Sequence, residues 1–131
     1  MSRFPFFDRN SLTIHDTQQR VSKCSTSDIV DPTSWDVIHD HQPVTDPEII
    51  GLAEKIRWAN ANRKPVIFFL AGHVIKYGLS RFIVELIRQG YITHLAANGS
   101  VLVHDWELAY HGSTSEDVGS TITHGEFGHW D

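Results

Sequence analysis

Cysteine occurs once in this sequence, at Cys24, so no intrachain disulfide can form. The stapled scaffold of a small secreted domain is therefore excluded, and a reducing cytoplasm is the expected compartment. No apolar stretch approaches the roughly 18 residues of a membrane span. The first ten residues, MSRFPFFDRN, place Pro5, Asp8 and Arg9 where the apolar core of a signal peptide would run. An excess of basic residues is also missing. Lys and Arg number 11 against 16 Asp and Glu, for a formal charge of −5, and the cations are scattered. That leaves no electrostatic footprint for nucleic acid and no basic patch for a membrane surface. Neither a G-x-G-x-x-G turn nor a P-loop nor a G-x-S-x-G elbow occurs. The histidines number 9, but His39 with His41 and His124 with His129 lack the spacing and the cysteines of a zinc site, so no metal is expected.

What is present is ordinary for a globular chain: 40% hydrophobic and 21% charged residues over 131 positions, enough for one domain. Residues 1–45 show no sustained periodicity and read as an irregular N-terminal extension lying on a neighbouring surface. Within it Leu12-Thr13-Ile14-His15 suggests a short strand. Ile29-Val30-Asp31-Pro32 and His41-Gln42-Pro43 read as turns, and Cys24 sits in a polar stretch. Order begins at Thr45. Asp46 suits an N-cap, Pro47 the first helical position, and Ile49, Leu52, Ala53, Ile56 and Ala59 follow at helical spacing. Pro65–Leu70 is a continuous apolar run and predicts a strand buried on both faces. Leu79–Gln89 is amphipathic and stops at Gly90, which suits a left-handed C-terminal position. Tyr91–Ala97 predicts a second strand, so the two strands and their helix form a βαβ unit. Leu102–Tyr110 predicts a further helix. Ser113-Thr114-Ser115-Glu116 has capping-box spacing and predicts another helix start.

Glycines and polar residues stand just past the carboxyl ends of both strands, where open α/β sheets bind ligands. Gly72 would let a ligand approach the backbone, and Lys76 adds a positive charge. Asn98-Gly99 suits a tight turn facing the same crevice. His104 and Glu107 share a helix face at i, i+3, and a histidine with a carboxylate near a crevice suits acid–base work. Each has a plainer reading as turn, cap or surface group. Trp58, Trp106 and Trp130 read as core or interface anchors rather than stacking platforms.

Several of these motifs together resemble bacterial deoxyhypusine synthase-like proteins. They are Gly72-His73-Val74-Ile75-Lys76-Tyr77-Gly78-Leu79, Asn98-Gly99, His104-Asp105-Trp106-Glu107-Leu108-Ala109, Gly112–Val118 and Gly125-Glu126-Phe127-Gly128-His129-Trp130. The resemblance spans roughly residues 45–131, with a looser match from Phe7-Asp8-Arg9. It extends more distantly to deoxyhypusine synthase, a tetramer with a Rossmann-like fold that uses NAD to oxidise spermidine and moves an aminobutyl group to a lysine. The Asn-Gly and His-Asp pattern is also similar to an NAD-using ornithine cyclodeaminase-like domain.

The resemblance implies an α/β fold, a Rossmann-like parallel sheet with flanking helices. Residues 46–131 would form its N-terminal part, and the sheet would be incomplete within this chain. It implies NAD as cofactor, with Gly72, His73, Val74, Asn98, Gly99 and Asp105 lining the site, an amine or polyamine as small-molecule substrate, and a homo-oligomer. It assigns no catalytic residue here, because the synthase's nucleophilic lysine and polyamine-binding acids lie in its C-terminal half. Gly72-His73 also replaces the synthase's Ser-Asn pair.

Overall fold

The computed structural model describes residues 3–34 and 43–131; His39, His41 and Gln42 lie outside them. In chain order the regular elements are β1 (Ser22–Ser25), α1 (Pro47–Ala61), β2 (Ile67–Leu70), α2 (Gly72–Lys76), α3 (Ser80–Arg88), β3 (His94–Ala97), α4 (Gly99–His111), β4 (Ser113–Glu116) and α5 (Val118–Thr121). The protein is thus mixed α/β. Asp46 caps α1 as its sequence predicts, its carboxylate accepting the Glu48 amide at 2.8 Å. Gly90 closes α3 at φ 75° and Gly112 closes α4 at φ 74°, both left-handed. The segment between β2 and α3, read as a loop, contains the short helix α2.

β2 and β3 pair in parallel, with Ile67 opposite His94 and Leu70 opposite Ala97. This two-stranded sheet and a second one, β1 with β4, are the only sheets among the described residues. Leu70, Ile75, Val101 and Leu108 form the buried core, with Phe68 and Val74 packed against it. α2 lies on α4 and brings Ile75 to Val101 and Leu108.

Several expectations are corrected. β2 is not buried on both faces. Phe68 and Leu70 turn toward the core, while Ile67 and Phe69 remain 55% and 78% exposed. A strand alternates its side chains, and α2 and α4 line one side of this sheet only. The helix start expected at Ser113 is a strand instead. α4 runs on to His111 and stops at Gly112, and the chain then pairs antiparallel with β1, Ser22 opposite Glu116 and Cys24 opposite Thr114. The cap lies four residues later, where the Asp117 carboxylate accepts the Gly119 amide at 3.2 Å to open α5. Lastly, Ser22–Ser25, read as irregular, is β1. The polar alternation that hid it reflects a short strand with no apolar face. Of the strand expected at residues 12–15, only His15 pairs, in an isolated bridge to Trp130. The turn at Asp31 is present, with its carboxylate accepting the Thr33 amide at 2.9 Å. Trp58 and Trp106 are exposed rather than core.

The chain exposes 10282 Å². A compact monomer of its 14.9 kDa would expose roughly 7,000 Å². The exposed large apolar side chains include Ile67 and Phe69 on the sheet and Leu52 and Trp58 on α1. No helix among the described residues is long and apolar enough to cross a membrane.

Candidate functional site at the strand ends

Because β2 and β3 are parallel and in register, their carboxyl ends deliver Ala71-Gly72 and Asn98-Gly99 side by side. A short hydrogen-bond chain joins them. The Gly72 amide donates to Ser100 Oγ at 3.2 Å, and the Ser100 hydroxyl donates to Asn98 Oδ1 at 2.7 Å.

The two halves of this junction differ in access. Gly72 is buried, and a Cβ there would lie 2.7 Å from His104 Cδ2 and 2.8 Å from Ser100 Oγ. The missing side chain therefore admits α4, not a ligand, and the amide is already engaged. That corrects the expected reason for this glycine. Asn98, Gly99 and Ser100 are exposed, and nothing lies within 4 Å of a Cβ placed on Gly99. Asn98 begins α4 from an extended conformation, and its side chain does not cap the helix. The Val101 amide donates to the Asn98 carbonyl at 3.1 Å, and the Gly99 and Ser100 amides before it lack a cap from the Asn98 side chain, at a helix end that carries partial positive charge.

The other predicted residues are more dispersed. His73 is exposed at the rim, its ring 5.8 Å from Tyr77. Lys76 Nζ lies 5.7 Å from the centre of the same tyrosine ring rather than over the junction. Val74 is half-buried against the core. Asp105 is exposed on α4, seven residues after Asn98 and so about 10 Å further along the axis.

Beneath the junction lies a buried polar cluster whose partners come from three parts of the chain. Arg20, just before β1, donates from Nη1 to Glu107 Oε1 at 2.6 Å, from Nε to Ser22 Oγ at 3.2 Å and from Nη2 to the Ser113 carbonyl at 3.4 Å. Thr114, on β4, is fully buried, and its hydroxyl donates to Glu107 Oε2. His104 Nδ1 lies 2.8 Å from Thr114 Oγ1 and 4.0 Å from Glu107 Oε2. Burial pushes the Glu107 carboxyl up. The hydrogen bonds from Thr114 and Arg20, the Arg20 charge and the Ser115 amide outweigh it and hold the group below its ordinary 4.5. Glu107 is therefore ionised at neutral pH.

The cluster forms one wall of a cavity of about 520 Å³, lined also by Trp106, Glu116 and Trp130. Two buried polar atoms here have no partner among the described residues, Glu116 Oε1 and Trp130 Nε1. Glu116 Oε2 is taken by the Gly128 amide at 3.0 Å.

Sequence spacing found the His104–Glu107 pair on one helix face. It did not find Arg20, Thr114, Glu116 or Trp130. Arg20 and Thr114 join Glu107 through the β1–β4 pairing, and no local signal marks that pairing. No family model, curated protein or solved structure matches the chain.

Proposed function

We propose that this chain supplies the strand-end half of an NAD crevice in a deoxyhypusine synthase-like, Rossmann-like α/β domain acting on an amine. The observation that carries the reading is the open start of α4, immediately after a parallel strand, at the residues the resemblance assigns to the dinucleotide. Uncapped helix amides beside an exposed glycine suit a diphosphate. Asn98 and Gly99 would hold it, His73 would stand at its rim, and Gly72 would position α4 rather than touch it. Bound there, NAD would accept a hydride. The unpaired Glu116 carboxylate oxygen beside the Trp106 and Trp130 rings suits an ammonium group, which carboxylates and aromatic faces both attract.

Titration calorimetry with NAD⁺ tests this. The chain is expected to bind NAD⁺, and Gly99→Asp to weaken binding at least about tenfold. The new carboxylate suits a helix N-terminus but repels phosphate, so the fold should tolerate it. Absence of heat at millimolar NAD⁺ sinks the reading.

A second reading, subunit association, is favoured by the uncovered sheet face. We infer that a second copy covers Ile67 and Phe69. Sedimentation velocity should find an oligomer, and Phe69→Ser should shift it toward monomer. A monomeric wild-type chain at micromolar concentration would reject this reading.

A further inference from the structure

The geometry points to His104 as the acid–base residue of the cavity beside the buried cluster, presenting an unprotonated Nε2 to a hydrogen-bond-donating ammonium or hydroxyl group of the ligand. This deepens the crevice reading and rests on it.

The protonation pattern follows from counting hydrogens. Glu107 is ionised and only accepts. It takes two charge-assisted bonds, from Arg20 Nη1 and from the Thr114 hydroxyl. Thr114 has a single hydroxyl proton, and it is spent on Glu107. Its oxygen can then only accept from His104, so the proton of the neutral imidazole sits on Nδ1. Nε2 is left as a lone pair. It makes no hydrogen bond among the described residues.

The ring also has a direction. Cδ2, the carbon bonded to Nε2, is the atom nearest the point where a Gly72 Cβ would sit, at 2.7 Å. That carbon packs on the Gly72 backbone, and the side chain, 21% exposed, lines the cavity of about 520 Å³. The opposite edge is anchored in the cluster. A histidine whose second nitrogen is fixed by a hydroxyl and a carboxylate keeps both its tautomer and its orientation.

The charged groups facing the ring come from two elements. Glu107 lies on its own helix, and Arg20 from the N-terminal segment pairs with that carboxylate. α2 offers only the Gly72 backbone, and β4 offers uncharged Thr114. His111 and Glu116 line the same cavity. In the proton step the ligand N–H or O–H bond breaks, its electron pair stays on the ligand atom, and the proton goes to Nε2. The imidazolium keeps its Nδ1–H on Thr114, and no second proton moves.

Nitrogen NMR on the labelled full chain at neutral pH reads the tautomer directly. Nδ1 of His104 should be protonated and Nε2 should carry the lone pair. Thr114→Val should release a mixture of tautomers, and Thr114→Ser should restore the single form. A protonated Nε2 in the wild-type chain overturns the proposal, even if Thr114→Val fails to fold. Diethyl pyrocarbonate, which acylates accessible neutral imidazoles, should label His104; an inert His104 also overturns it. Neither readout needs NAD. A reactive, Nδ1-protonated His104 with no NAD⁺ heat rejects the cofactor and keeps the base, and the reverse result does the opposite.

Discussion

Gly78→Ala should destabilise the protein by about 2–5 kcal/mol, from left-handed strain of about 1–2 and steric overpacking of about 1–3. Gly78 is buried at φ 79°, where a side chain is already strained. A Cβ there would lie 2.1 Å from the Asp28 carbonyl oxygen and 2.9 Å from its carbon. Both atoms are backbone, so no side-chain rotation relieves the contact. The Asp28–Val30 segment must move, and the bond from the Val30 amide to the Gly78 carbonyl, 2.9 Å long, is lost with it. Gly125 provides the control. Its φ is 71°, but nothing lies within 4 Å of a Cβ placed on it. Gly125→Ala should therefore cost only the conformational part. Urea unfolding of the two variants separates strain from clash. Equal losses would mean that the Asp28 segment does not pack on Gly78 in solution.

Gly78 also illustrates what the sequence makes legible. Its motif is visible as a glycine-terminated run, and a left-handed turn is a fair expectation from the residue type alone. That its partner is Asp28, some fifty positions earlier, is not. The same division runs through the fold. α1, α3 and α4 announce themselves through Asp46, Gly90 and the spacing of apolar residues, because caps and periodicity are local. β2 and β3 announce themselves through apolar runs. β1 and β4 do not, since their residues are serine, threonine, lysine, cysteine and glutamate, and what makes them strands is each other. The candidate site inherits this limit. Asn98 and Gly99 are readable as a strand-end turn, but Arg20 and Thr114 reach Glu107 only through that unreadable pairing. Gly72 was legible as special and misleading as to why, because its missing side chain makes room for His104.

The second large effect is expected at Glu107. Removing one member of a buried ion pair typically costs about 3–5 kcal/mol, because the partner is left charged and desolvated. Here Arg20 and Glu107 are 8% and 16% exposed, which places Glu107→Ala near the lower end, about 3 kcal/mol. Arg20→Met with Glu107→Leu together should recover part of that loss, since neither charge then remains buried alone. A double-mutant cycle by urea unfolding gives the coupling. The pH dependence supplies an independent check. The native Glu107 carboxyl lies below its ordinary 4.5, so the unfolded chain binds the proton more readily. Its contribution is complete above the ordinary glutamate value and is lost as pH falls through the lowered native value. Glu107→Gln lacks this titration. The stability gap between wild type and Glu107→Gln should hold constant from pH 7 to about 5 and narrow below that. Asp31, Asp117 and Asp131 are also held below their ordinary values, each by hydrogen bonds at the surface. They are common to both proteins, so they cancel in the difference. A gap that widens on acidification would mean that folding raises the Glu107 carboxyl instead of lowering it. The Nδ1 proton of His104, counted from an ionised Glu107, would then lose that support.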